Sequence, residues 1–315
     1  MFKHITLARE NLYIDPVHDN RHPLPDLDTA RESIPYTFHI PALQIAGLTY
    51  TWVNSKNEAG AAMALSGPGI GDKPIEQLLP DRKLPDTMDY TNWQIDGFQM
   101  RQDLKFDTAA VRWESPDVLL EFDFEAIHPP YAYSSHAEGC PPYAAFDRIE
   151  QAGRCRGRIV MPGREEITFD TFAHRDHSWG TRDWRYFQHY NWFHGQSLDG
   201  NTAIHYWRCL ALGREIIRGY LCKDGTMAEI VGVESDMRYD DTLYQQQLSS
   251  TITDELGRSV DISADFYTHY TLRPSPLWHL REGAATATIA GQAAMAWVEC
   301  GWPPGYLENI EQAQA

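Results

Sequence analysis

Residues 165–192 read EEITFDTFAHRDHSWGTRDWRYFQHYNW. The first half of this stretch alternates as a β-strand does, and the odd-numbered positions carry Ile167, Phe169, Thr171, Ala173, Arg175, His177 and Trp179. Successive side chains of a strand point to opposite faces. Because the odd-numbered face is the more apolar, we expect it to point into a core or cavity. This predicts His177 and Trp179 side by side on the inner face, and His174 and Asp176 on the opposite face.

Similar alternating segments lie on both sides of this stretch. Examples are LQIAGLTYTWVN (43–54), VLLEFDFEAI (118–127) and REIIRGYLCK (214–223). They are separated by turn residues such as Asp199-Gly200, which accept the positive φ of tight hairpins. Helix-period runs are short and βαβ units are absent. The pattern predicts an all-β protein of sandwiches or barrels with little helix.

The order of these segments predicts three parts. Residues 1–40 are polar and interrupted by proline, so we expect a mostly irregular N-terminal arm on the surface. The distinct composition of the central stretch indicates a junction there. We therefore predict an N-terminal β-domain over residues 41–180 and a C-terminal β-domain over residues 181–315.

Composition and charge exclude several classes of partner. The 315 residues include 27 Lys and Arg against 44 Asp and Glu, a formal net charge of −17. A field of that sign repels nucleic-acid phosphates and anionic lipid surfaces. We expect no secretory signal, because the first residues lack an apolar region, and no membrane span. Five scattered cysteines without a Cys-x-x-Cys pattern favour a reducing, cytoplasmic location.

Residues 172–194 are where composition alone indicates chemistry. They hold four of the 13 histidines and three of the ten tryptophans. A histidine beside an indole in an apolar cavity is a plausible proton donor or acceptor, because burial lowers its pKa. Trp179 offers a π-face to a developing carbocation. His177 and Trp179 are therefore the leading catalytic candidates.

A structural interpretation of the same residues remains open. His177 can be a satisfied core histidine, while Asp176, Arg182 and Asp183 form ion pairs that close a domain interface. In either interpretation we expect Arg182 to pair with one of the two aspartates.

Metal and cofactor sites are weakly supported. His174-x-Asp176, with His269 and Arg273 further along, superficially matches a two-His-one-carboxylate iron oxygenase, but the gap from histidine to arginine is too short. His174 and His177 point to opposite faces of a strand, so they cannot share a zinc ion. Phosphate-loop, dinucleotide-binding and Gly-x-Ser-x-Gly motifs are absent from the sequence. We therefore expect no metal and no cofactor.

Residues 176–184, DHSWGTRDW, resemble the Asp-His-x-Trp-Gly motif of the carotenoid 1,2-hydratase (hydroxyneurosporene synthase) superfamily. That grouping also contains lipocalin-like cyclases, including Diels–Alderases. Residues 296–302, AWVECGW, are similar to its closing strand. The resemblance implies two lipocalin-like β-barrel domains, a cavity for a hydrophobic substrate, and proton transfer without an organic cofactor. It assigns the active-site roles of the His-x-Trp pair to His177 and Trp179.

The sequence departs from the hydratases at one point. They carry a Tyr-x-Asp on a later strand, where residues 203–207 here read AIHYW. The missing aspartate favours milder chemistry, with His205 or Tyr206 in its place. The catalytic candidates are thus His177, Trp179, Asp176, His205 and Tyr206. The candidate substrate contacts are Trp207, Arg112, Tyr131 and Tyr133, and the candidate orienting residues are Arg182, Asp183 and Trp184.

These observations predict a cofactor-independent lyase, hydratase or isomerase that uses acid–base catalysis. Its substrate would be a small hydrophobic isoprenoid, steroid, polyketide or aromatic compound held in a β-barrel cavity. The first alternative is a non-catalytic carrier of a hydrophobic ligand. A carrier has no need of polar groups beside its pocket, because such groups cost stability when unpaired. The second, less favoured alternative is an iron oxygenase that uses His174 and Asp176.

Overall fold

The computed structural model describes residues 4–306 and Glu308, and most of them lie in β-strands. The chain folds into two compact units. Unit 1 contains residues 10–65 and 73–182, and unit 2 contains residues 6–9, 66–72 and those from 183 onward.

The strands follow one another with short connections. In chain order they are β1 (Thr6–Leu7), β2 (Ala30–Ile40), β3 (Ile45–Asn54), β4 (Glu58–Ser66), β5 (Ile75–Lys83), β6 (Trp93–Ile95), β7 (Phe98–Gln102), β8 (Thr108–Glu114), β9 (Leu119–Ala126), β10 (Tyr131–Ala132), β11 (Asp147–Val160), β12 (Ile167–Thr181), β13 (Phe187–Ser197), β14 (Thr202–Ala211), β15 (Arg214–Lys223), β16 (Thr226–Tyr239), β17 (Gln245–Asp254), β18 (Ser259–Ser275), β19 (Trp278–Ile289) and β20 (Gln292–Trp302). Short 3₁₀ turns lie at Glu10–Leu12, Pro16–Asp19, Pro41–Leu43, Tyr133–Ser135 and Trp184–Tyr186.

Unit 1 is one large sheet with β12 and β2 at its centre. Its strand order is β5-β4-β3-β2-β12-β11-β9-β8-β7-β6, and β10 pairs with β11. β2 and β12 are antiparallel, with Glu32 opposite Trp179 and Tyr36 opposite Arg175. Directly opposite residues of antiparallel strands share a face. The register therefore places the even-numbered residues of β2 beside the odd-numbered residues of β12.

Unit 2 is a closed antiparallel barrel. Strands β13 to β20 pair in sequence order, and β13 pairs with β20 to complete the ring, while β1 adds to β16 in parallel. Buried apolar side chains from every strand of the ring fill its interior, among them Phe193, Tyr206, Ile252 and Val298. The two units together confirm the predicted all-β, two-domain lipocalin-like fold class.

The N-terminal region is more ordered than the sequence predicts. Residues 30–40 form the central strand β2, not part of an irregular arm. Pro35 disfavours a strand there, since proline cannot donate to a ladder. The residue pairs with β12 lie on either side of it, at Ala30–Ser33 and at Tyr36–Phe38. In the segment before β2, Tyr13, Val17 and Leu27 are more than half exposed, as expected of a surface arm, whereas Asp19 is fully buried.

Two further sequence expectations concern cysteines and membrane spans. All five cysteines carry free thiols, and Cys140 is the one that is not buried. Within the residues that the structure describes, no helix has the length and apolar character needed to cross a bilayer.

Candidate functional site

The pairing of β2 with β12 brings a carboxylate to His177. Glu32 is opposite Trp179, and the Nε2 atom of His177 lies 2.8 Å from Oε1 of Glu32. The rings of His177 and Trp179 lie 5.2 Å apart between centroids, on one face of β12 as the alternation predicts. Glu32 is fully buried and His177 is 2% exposed. The structure thus assembles a buried His–Glu dyad, of which the sequence analysis identifies one member.

A second histidine reaches the dyad from the segment before β2. Residues 15–24 form a segment that we call the strap, which packs on unit 1. The strap begins with the 3₁₀ turn Pro16–Asp19, which Asp15 caps. From this strap, Nδ1 of His22 lies 2.8 Å from Oε1 of Glu32, and the backbone N–H of His22 donates to both carboxylate oxygens at 3.1 and 3.2 Å. The ring of His22 stacks on Trp179 at 3.7 Å with an interplanar angle of 2°.

The strap is hard to predict from the sequence because its composition is that of an exposed loop. PVHDNRHPLPDLD, residues 16–28, is rich in proline and charge. The available signal is two histidines four positions apart around an aspartate. In the structure Nδ1 of His18 lies 3.0 Å from Nε2 of His22, so the two rings form a hydrogen-bonded pair. One face of Trp179 is therefore covered by His22 and not open to a carbocation.

The hydrogen bonds fix where the protons lie. An ionised carboxylate only accepts hydrogen bonds, so Nε2 of His177 and Nδ1 of His22 are the donors. Burial opposes the charge on Glu32, but hydrogen bonds from His177 and His22 outweigh it and lower the pKa of this carboxyl. Burial lowers the pKa of His177, against the opposing pull of Glu32. Glu32 is thus charged and His177 neutral near pH 7, with a lone pair on Nδ1.

That Nδ1 atom is the chemically available one. It is buried and has no hydrogen-bond partner among the residues that the structure describes. Aromatic rings lie close to the His177 ring: Tyr90 meets it edge-on at 5.5 Å between centroids, and Trp93 packs against Tyr90. Burial, together with the charge of Glu32, raises the pKa of Tyr90 well above its ordinary value, so it remains a neutral phenol. The arrangement is an oriented imidazole base in an apolar surrounding.

A cleft adjoins the strap beside the dyad. It has a volume of about 180 Å³ and is lined by Arg21, His22, Pro23, Leu24, Asn54, Ser55, Asn57 and Asp86. His22 therefore lines this cleft and also donates a hydrogen bond to Glu32.

The opposite face of β12 carries a separate ionic cluster. Nε2 of His174 lies 2.9 Å from Glu150, and Arg148 bridges Glu150 and Asp176 with two contacts of 2.6 Å. The Tyr133 hydroxyl donates to Glu150 at 3.3 Å. Burial, with the charges of nearby arginines, lowers the pKa of His174 well below its usual value. Asp176 and Tyr133 thus lie with His174 and not with His177.

Several other predicted site residues have different surroundings. Arg182 donates to Ser178 at 2.9 Å and to the Ala144 carbonyl, while the predicted partner Asp183 pairs with Arg185. Asp176 in turn pairs with Arg148. Arg112 bonds to Glu114 and Glu121 beside an outward-facing groove of about 440 Å³. Tyr131 is fully buried and packs against Tyr133.

The remaining candidates belong to unit 2. Tyr206 points into the barrel and stacks on Phe193 at 4.8 Å, within the apolar core. Its neighbours in β14 have aromatic contacts of their own: His205 lies 5.5 Å from Trp192, and Trp207 packs near Tyr190. Trp184 stacks on Trp278. Their part in catalysis stays a prediction.

Three potential metal ligands converge at the dyad, although the sequence indicated no such set. Nδ1 of His22, Oε1 of Glu32 and Nε2 of His177 lie within 4.8 Å of one another. Both ring nitrogens lie 2.8 Å from the same carboxylate oxygen, which is a hydrogen-bond length. Coordination would require both nitrogens to lose the protons that these bonds use. We interpret the group as a hydrogen-bonded triad.

The chain belongs to the family described as domain of unknown function DUF7064, whose model matches residues 15–304. No curated protein sequence matches it significantly.

Three solved structures are similar. An AttH candidate (NE1406) from Nitrosomonas europaea has a TM-score of 0.66 and 16% identity, covering 91% of this chain and 96% of that chain. CghA with Sch210972 has a TM-score of 0.63 and 12% identity, covering 87% and 88%.

Kievitone hydratase from Nectria haematococca has a TM-score of 0.61 and 8% identity, covering 92% of both chains. Identities this low establish the fold alone. They confirm the fold of the hydratase and cyclase superfamily that residues 176–184 resemble.

Proposed function

We propose that this protein is an enzyme that transfers protons, as a lyase, hydratase or isomerase, with His177 as its general base and acid. The single observation that carries the proposal is the buried contact between Nε2 of His177 and the carboxylate of Glu32. Glu32 accepts a hydrogen bond from Nε2–H of His177, and Nδ1 of His177 then carries a buried lone pair. A charged carboxylate that orients a histidine and stabilises its imidazolium form is the arrangement of hydrolytic triads.

The chemistry follows from this geometry. Nδ1 of His177 removes a proton from a C–H or O–H group of the substrate, and the imidazolium that forms is stabilised by the negative charge of Glu32. The same proton is then delivered to another atom of the substrate or to its leaving group. Delivery to a second carbon gives isomerisation, and delivery to a departing hydroxyl gives an alkene and water. Hydration is the reverse of that second reaction.

The surroundings of His177 support a substrate with an apolar body. Trp179, Tyr90 and Trp93 supply aromatic surface on the same side of the sheet. A hydratase occurs among the proteins that share the fold. The proposed reaction needs no organic cofactor, because the imidazole and carboxylate supply both the proton acceptor and the countercharge.

The carrier alternative is less well supported by the structure. Lipocalin-type carriers hold their ligand inside the barrel, whereas apolar side chains occupy the barrel interior in the described part of unit 2. A buried ionised carboxylate also costs folding free energy. A carrier would gain nothing from Glu32, whereas an acid–base enzyme needs its charge.

The experiment that tests the function is proton exchange in D₂O. Isoprenoid, steroid, polyketide and aromatic alkenes and ketones are incubated with the protein, and mass spectrometry detects incorporated deuterium or added D₂O. His177→Gln should lower the rate about 10²–10⁴-fold. His174→Gln is the matched control on the opposite face and should keep most of the rate. Equal activity of His177→Gln and wild type would overturn the proposal.

A further inference from the structure

The strap is fastened to β12 at a second place, next to the dyad on the same face. Arg175 is 3% exposed and lies two residues before His177. All three of its guanidinium nitrogens donate hydrogen bonds. They go to Asp19 in the strap at 2.9 Å, to Gln102 in β7 at 2.8 Å and to Gln151 in β11 at 3.0 Å.

Asp19 is held as completely as its arginine partner. Its second carboxylate oxygen accepts the backbone N–H of Phe106 at 2.7 Å, and its carbonyl accepts from Gln102 at 2.7 Å. Burial favours loss of the charge on Arg175, but Asp19 and the Tyr36 hydroxyl outweigh it and raise the pKa of this guanidinium. Asp19 therefore cannot shift without breaking several buried polar contacts.

Two of the strap's attachments bind it to β12 and β2 and are three residues apart; between them, Asn20 and Arg21 are bonded to Asp89, Tyr90 and Met88. Asp19 is tied to Arg175, and His22 is tied to Glu32. Arg175 and His177 are neighbours on one face of β12, so the strap runs over that face between fixed points. The Asp19 attachment is the buried ionic one of these contacts, and it lies on the same face of β12 as His177.

We propose that Asp19 and Arg175 are positioning residues for the dyad. They hold the strap so that His22 donates to Glu32, and Glu32 in turn keeps the proton of His177 on Nε2. The consequence for turnover rests on the proposed function. The consequence for the His177 proton is a property of the protein alone and can be measured without a substrate.

The physical reason is the loss of donors around Glu32. If Asp19 loses its charge, the buried guanidinium of Arg175 is left uncompensated and the strap shifts, because an unpaired buried charge is costly. His22 then withdraws its ring and backbone donors from Glu32. The carboxylate is held less firmly against His177, and the preference for the Nε2 tautomer weakens.

The test is ¹⁵N NMR of the imidazole nitrogens of His177 across a pH series. Wild type should show one dominant Nε2–H tautomer. Asp19→Asn should produce a mixture of tautomers, and His22→Ala, which removes the ring donor but keeps the backbone N–H, should produce a smaller shift in the same direction. The double variant should match Asp19→Asn alone, because that change already withdraws both donors from Glu32. Asp15→Asn is the matched control, since Asp15 caps the same turn by accepting the Val17 N–H.

The outcomes separate positioning from a purely structural role. A folded Asp19→Asn protein with the wild-type tautomer and titration would overturn the proposal. Gln102→Met removes the Gln102 bonds but keeps the ion pair, and should give a smaller shift in the tautomer ratio. If both variants fail to fold, the network is structural only and the proposal is wrong. A tautomer change without any change in kcat would instead refute the proposed function.

Discussion

Replacement of Glu32 by glutamine is the sharpest test of the dyad, because it changes charge and hydrogen bonding with little change in volume. Glu32 accepts from Nε2 of His177 and from the ring and backbone of His22. A glutamine side chain keeps one acceptor oxygen and places an NH₂ group where the second oxygen was. Whichever way the amide is turned, its NH₂ group faces an N–H donor of His177 or His22. The substitution also removes the charge that stabilises the imidazolium of His177.

The expected loss can be worked from the one contact that matters in catalysis. A hydrogen bond to a charged group contributes about 1.5–3 kcal/mol, and a tenfold rate change corresponds to about 1.4 kcal/mol. Loss of the charged Glu32–His177 bond therefore lowers turnover about 10–10²-fold. A switch of His177 to the wrong tautomer adds to this, up to the full contribution of a general base, about 10²–10⁴-fold.

The assay is kcat/KM from deuterium exchange, measured over a pH series. Activity requires neutral His177, so the rate should fall on the acid side as His177 becomes protonated. Glu32 raises the pKa of His177; its replacement should therefore move that acid limb to lower pH while reducing the plateau. The double variant with His177→Gln should be no slower than His177→Gln alone, since the two residues act as a unit. Wild-type turnover with an unmoved acid limb in Glu32→Gln would refute this reasoning.

Three further predictions concern stability and metals. Burial lowers the pKa of His39 and of His128 from 6.5 to about 3. Because the folded pKa is the lower one, the free energy of unfolding should fall as the pH drops below 6.5, by about 2 kcal/mol per histidine at pH 5. A free energy of urea unfolding that stays constant from pH 7 to 5 would contradict this. Gly47→Ala should cost about 1–3 kcal/mol, because the new methyl would overlap the Phe38 ring; thermal unfolding should show little loss for the roomier Gly232→Ala. Dialysis against a chelator should leave turnover unchanged, because the proposed proton transfer uses the imidazole of His177 and the carboxylate of Glu32; activity lost on dialysis and restored by one metal would show otherwise.

The alternation within β12 is enough to place His177 and Trp179 together. A strand's period is a local property, so residues 167–179 predict their own two faces without knowledge of any neighbour. The same reasoning separates His174 and Asp176 from His177, and the structure shows them in a different ionic cluster. The all-β class follows in the same way, from many short local patterns.

The partners of His177 could not be predicted in this way because they are distant in sequence. Glu32 precedes His177 by 145 residues and reaches it only because β2 lies next to β12. Strand order is set by the whole sheet, and Pro35 makes β2 resemble a loop. His22 is still harder to predict, since it lies in no strand and no alternation pattern assigns its side chain to a face.

The structure also gives a physical reason to propose His177 and not His174 as the base. Both histidines lie on β12, and each is buried beside a glutamate from a neighbouring strand. The glutamate beside His174 shares its charge with Arg148 at 2.6 Å, and positive charge from Arg148 and Arg175 further opposes protonation of His174. Glu32 instead accepts from two histidines and a backbone N–H, so its negative charge remains available to an imidazolium. A base must hold a proton briefly, and that requires uncompensated negative charge beside it. Strand β12 therefore separates two similar histidines by face, and the proposed catalytic role falls to the one whose carboxylate is bonded to histidines and not to an arginine.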